Sequence, residues 1–119
     1  MTVQDMVIEM LLDHGIARVQ KGFGYTVELA GWVLDTDGET LFSGKLEETA
    51  RKHGLSVEAV IKDIRTFSRY IQKKEPWFYW ELTGEAFQVQ TFIEAVAEQA
   101  LDHYRSRHTL LPKRRKDPG

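Results

Sequence analysis

The feature that most restricts the fold is an apolar stripe in the segment beginning at Ser56. Val60, Ile64, Phe67 and Ile71 recur at i, i+4, i+7 and i+11. That spacing puts all four on one face of an α-helix, whereas in a strand they would split between two faces. It predicts a helix from Ser56 to about Gln72, ended by Lys73, Lys74 and Pro76. Just upstream, the segment 40–53 has a helical pattern with a thin inner stripe of Phe42, Leu46 and Ala50, and Gly54-Leu55-Ser56 breaks it. Two helices joined by a short glycine turn are therefore the centre of the chain.

The flanks extend the same reading. Thr2 can cap a first helix, with Asp5 placed to reach back. Met6, Val7, Met10 and Leu11 give that helix its apolar face, and Gly15 suits its stop. A second helix is expected from about Tyr25 to Leu34, with Val27, Ala30, Val33 and Leu34 inward. Asp35-Thr36-Asp37-Gly38 reads as a turn. A last helix, roughly Glu85 to Tyr104, carries Phe92, Val96, Ala100 and Tyr104 on one face. The Trp77-Phe78-Tyr79-Trp80 run has no periodicity that settles its state; it fits core closing the last helix, a partner surface or a base-stacking platform. No strand pair stands out. The expectation is an all-α, five- to six-helix domain over 1–108, containing a helix-turn-helix. A basic tail, 109–119, bearing Lys113-Arg114-Arg115-Lys116, is expected to be disordered; it either adds phosphate contacts or only solubilises.

Composition narrows the function classes. The chain has 119 residues, one domain's worth, and no cysteine, so disulfides and thiolate metal sites are excluded. No apolar stretch approaches a membrane span and no signal-peptide pattern opens the chain, which makes cytoplasmic residence the default. The net charge of −2 is unevenly spread. Residues 1–50 hold nine acids against three bases (−6), and residues 51–74 hold seven bases against two acids (+5). A phosphate backbone responds to such a local patch rather than to the overall charge, although a solvated amphipathic helix would look the same.

What separates those readings is the pattern from Leu46 to Arg65. A helix-turn-helix needs a small residue where its helices cross, and Ala50 supplies it. Four residues later it needs a residue that turns at positive φ, and Gly54 supplies that. Leu55 is the apolar plug, and Val60 and Ile64 anchor the second helix. If that helix enters the major groove, Ser56, Glu58, Ile61, Lys62 and Arg65 face the bases. Arg65 can bond guanine O6 and N7, and Lys62 a base or a phosphate. Glu58 can accept from cytosine N4 or merely complement the helix dipole, and Ile61 suits a thymine methyl or a protein partner. Lys52, Arg69 and Lys21 would hold phosphates.

With those residues in view, the chain resembles the C-terminal effector domain of the master sporulation response regulator of endospore-forming bacteria (stage-zero sporulation protein A). The similarity runs through Leu11-Leu12-x-x-Gly15-Ile16, Lys21-Gly22-Phe23-x-Tyr25, Ala50-x-Lys52, Val60, Ile64 and Arg65, and resumes weakly at Thr91 to Ala97. The resemblance implies a six-helix DNA-binding domain, a nucleoid-associated transcription regulator that occupies tandem sites as a head-to-tail pair. It matches Arg65 to a DNA-contacting arginine and puts Lys62 in the slot of a second arginine, without that residue's bidentate geometry. Ile61 stands where the family has a glutamate. The aromatic run near Trp77 replaces the loop that contacts a sigma factor, and no receiver domain is present. Beginning at Met1, the chain is expected to be a stand-alone, divergent relative.

Other signals are set aside. Asp35, Asp37 and Glu39 hint at a calcium loop, but Gly38 comes two positions early and Leu46 stands where the last carboxylate belongs. His14, His53, His103 and His108 are scattered, with no metal-ligand spacing. No catalytic constellation or phosphate loop is legible, so neither an enzyme nor a cofactor is expected. The alternative to DNA binding is a protein-interaction module that uses Ile61 on the outer face to bind or antagonise another regulator.

Overall fold

A computed structural model describes residues 1–36, 41–84 and 86–108. They form six helices: α1 (Val3–Asp13), α2 (Lys21–Asp35), α3 (Phe42–Lys52), α4 (Val57–Lys74), α5 (Pro76–Thr83) and α6 (Val89–His108). Among the described residues there is no strand. The all-α, six-helix architecture is as the periodicity requires. No helix among these residues is long and apolar enough to cross a membrane.

Several helices begin or end where the sequence provides a device. Thr2 and Asp5 close a capping box on α1: Asp5 N donates to Thr2 Oγ1 at 3.0 Å, and Thr2 N donates to Asp5 Oδ2 at 3.1 Å. Ser56 caps α4 by accepting from Ala59 N at 3.1 Å. Glu75 separates α4 from α5, whose first residue is Pro76, a proline in the one helical turn that tolerates it. Gly84, at φ 66°, ends α5.

The packing centres on α2, which touches α1, α3, α4 and α6. Its approach to α4 requires Gly22, since a Cβ there would lie 2.3 Å from the Asp63 carbonyl oxygen. Phe67 of α4 fills the resulting centre, edge-on to Phe23 of α2 (5.7 Å between centroids) and to Phe92 of α6 (6.4 Å). Val60, Ile64, Phe67 and Ile71 are fully buried, as their spacing demands. Burial on this scale contributes roughly 1.5–3 kcal/mol per large side chain.

Three boundaries depart from expectation. α2 starts four residues earlier than Tyr25, because Gly22 and Phe23 are held by packing against α4 that no local propensity predicts. α6 starts at Val89 rather than Glu85, because Gly84 at positive φ delays the next helix, and it runs on to His108. The aromatic run is helical and split: Phe78 is buried with Leu82 four residues on, while Trp77 and Trp80 point outward. The calcium-loop candidates Asp37 and Glu39, the end of the turn at Gly38, and the tail with Lys113–Lys116 lie outside the described residues.

Candidate nucleic-acid interface

The face of α4 opposite its core stripe is strongly charged. Glu58, Lys62, Arg65 and Arg69 recur at i, i+4, i+7 and i+11, and all four are exposed. Thr66 and Lys73 belong to the same face. Because the other face of α4 is anchored by residues of zero exposure, these side chains project from a rigid element rather than a loop.

One edge of the face is bordered by the α5–α6 connection. There the Arg65 guanidinium lies 5.3 Å from the centre of the Phe87 ring, close enough for cation–π attraction to restrain it. The other edge is bordered by the α1–α2 connection, where the Tyr70 hydroxyl accepts from Ala17 N at 3.3 Å. Nothing in local sequence spacing foretold the Phe87 contact, which spans 22 positions.

The remaining sequence-assigned residues do not join this strip. Ser56 is occupied in capping α4. Ile61, expected on the outer face, is half-buried and packs against the core cluster. The reason is angular: Ile61 lies on the flank of the apolar stripe, about 90° from its centre at 100° per residue, beside Val57, which also packs against the core. Lys52 is turned to α2, with Nζ 3.5 Å from Glu28 Oε2. Lys21 is exposed at the start of α2. It lines a shallow cleft with Arg18, Gln20 and Phe23, where Arg18 lies 5.9 Å from the Phe23 ring. Leu55, expected as the plug between α3 and α4, is 36% exposed.

Glu28 is a functional-looking residue that sequence reading missed. Its carboxylate receives Thr49 Oγ1 at 3.4 Å, Lys52 Nζ at 3.5 Å and His53 Nε2 at 3.1 Å. Burial alone would raise its pKa, but the His53 hydrogen bond and the charges of Lys52, His53 and Lys45 outweigh that and hold it below the ordinary 4.5. Glu28 thus acts as a tie between α2 and α3.

His103, dismissed on spacing, comes within 2.9 Å of Asp13, with Glu9 beside them. Such a trio has the donors for a cation, but Arg107 pairs with both Glu9 and Asp13 and already supplies the positive charge. The cluster therefore reads as an ion-pair network that ties α6 to α1.

No family model, no curated protein and no solved structure matches this chain. The chemistry of the α4 face therefore carries the functional reading.

Proposed function

We propose that the protein binds duplex DNA in a sequence-specific way, with α4 in the major groove, as a transcription regulator of the sporulation type that its sequence resembles. The observation that carries this reading is the strip of Glu58, Lys62, Arg65 and Arg69 on a helix whose opposite face is wholly buried. An α-helix fits the major groove, and four side chains at this spacing address successive base edges and the flanking phosphates. Support also comes from Gly54, whose φ of 69° ends α3 at the position where the proposed helix-turn-helix needs its turn. Arg65 and Lys62 would read bases, and Arg69 would hold the backbone. Binding of two copies to tandem sites follows from the resemblance.

The test is selection from a random duplex pool at two salt concentrations. An enriched motif whose binding weakens with salt is the expected result, and Arg65→Ala should cost about 1–3 kcal/mol on that motif. No enrichment, together with unchanged binding by Arg65→Ala, would remove the reading. A protein-interaction role for the same face rested on Ile61 as an outward apolar residue. Its packing against the core makes that the weaker alternative.

A further inference from the structure

The largest apolar side chains left uncovered near a charged groove are on α5. Trp77 is 84% exposed and Trp80 55% exposed, on the side of the helix opposite the buried Phe78 and Leu82. Between this helix and the end of α1 runs a groove of about 540 Å³, lined by Asp13, His14, Glu75, Trp77, Phe78 and Glu81. Of its three rim carboxylates, Asp13 is already paired with Arg107 and His103, Glu75 and Glu81 complete the acidic rim, and its wall is an indole. That combination suits an arginine- or lysine-bearing segment, because a guanidinium or ammonium can stack on the ring while facing a carboxylate.

The chain itself supplies such a segment at the right place. Arg107, near the end of α6, bonds to Asp13, which is one wall of the groove. The polypeptide therefore leaves α6 beside the groove. Beyond His108 the sequence continues Thr109-Leu110-Leu111-Pro112 and then Lys113-Arg114-Arg115-Lys116. Lys113 is five residues past His108, a reach of roughly 17 Å if extended. Two leucines would meet the exposed Trp77 indole first, and four cations would follow at the acidic rim.

We propose that the chain's own C-terminal segment, residues 109–116, docks in the groove between α5 and the end of α1, covering Trp77, with Trp80 at its margin. Docked there, the four basic residues are withheld from other anions, so the segment serves as an internal, salt-sensitive competitor for whatever acidic partner the tail would otherwise meet. The inference is independent of what α4 binds.

The chain has no cysteine, so a single one can be introduced for labelling. In the full chain, Asp117→Cys carries a nitroxide, and the indole N–H signals of Trp32, Trp77 and Trp80 are followed by NMR. The expected result is loss of the Trp77 and Trp80 signals, with the Trp32 signal retained. The signals should return with Glu81→Lys, and at about 1 M salt, where the screening length falls to ~3 Å. Equal broadening of all three indoles, or none, would overturn the proposal. So would broadening in a mixture of labelled chain with isotope-labelled, nitroxide-free chain, since that would place another copy's tail in the groove.

Discussion

Two helices in this molecule end on the same pattern in the same geometry, with opposite consequences. α1 closes with His14-Gly15-Ile16 and α3 with His53-Gly54-Leu55. In each, glycine takes a positive φ, 80° at Gly15 and 69° at Gly54. The residue after it donates its N–H back into the last turn: Ile16 N to Leu11 O at 2.9 Å, Leu55 N to Ala50 O at 2.8 Å. Both are Schellman caps. Yet Ile16 has no exposed surface, while Leu55 is 36% exposed. His14 packs on Phe78, with ring centroids 4.0 Å apart, and its Nδ1 is buried without a hydrogen-bond partner among the described residues. His53 instead meets Glu28 and the Tyr25 ring. The same local device thus delivers the chain into the core at one end and to a polar seam at the other. The cap fixes where a helix stops, and the surroundings fix what the stop contributes.

Truncation should separate the two ends most. Ile16→Ala is expected to cost about 2–5 kcal/mol, the range for emptying a buried site, and Leu55→Ala well under 1 kcal/mol. Urea midpoints of the two variants decide it, and equal losses would break the contrast. The glycines should behave alike, because their cost is in the backbone. A Cβ at Gly54 meets nothing within 4 Å, and one at Gly15 meets only Glu75 Oε2, at 3.6 Å. Gly15→Ala and Gly54→Ala should each cost about 1–2 kcal/mol, and a much larger loss at Gly15 would point to crowding there.

A smaller effect is expected at the polar seam. Glu28→Gln keeps the shape of the side chain but removes the charge that His53 and Lys52 face. About 1 kcal/mol should be lost, confined to α3, so amide exchange should quicken in residues 46–53 and not in α1. Unchanged exchange in α3 would show that Leu46, Thr49 and Ala50 hold the helix alone.

The subtlest prediction concerns pH. Burial, reinforced by nearby His103, lowers the pKa of His14 below 6.5, against partial opposition from Glu81, Glu75 and Asp13. The unfolded chain then takes up the proton first. Stability is therefore intact above about pH 6.5 and declines as pH falls from there toward the lowered folded value. Glu28 has the opposite chemistry. Its lowered carboxyl contributes stability above its ordinary 4.5, and that contribution is lost only as pH falls below this. A urea titration from pH 7.5 to 5.5 should thus weaken the native chain, and His14→Gln should flatten that slope. An undiminished slope in His14→Gln would assign it elsewhere.

Much of the fold was legible in the residues because it depends on period and punctuation. The stripe at Val60, Ile64, Phe67 and Ile71, the box of Thr2 and Asp5, and the stops at Gly15 and Gly54 are local facts, and each holds in three dimensions. The charged strip of α4 follows from the same periodicity, since a helix that buries one face must expose the other. Ile61 was misplaced because it borders the stripe, and only the neighbours decide whether such a flank is covered.

That this chain is helical, where most of its helices stop, and that one of them carries a basic outer face can all be read along the chain. Those properties arise from interactions within a few residues along the chain. Folding in three dimensions is what ties α2 to α3 through Glu28 and rests Arg65 on Phe87. It also decided that Arg107 fills the acidic cluster of α1, and that Trp77 and Trp80 stay outside while Phe78 goes in. These depend on contacts between residues far apart in the chain, and no spacing rule encodes which distant side chains a packed core will bring together.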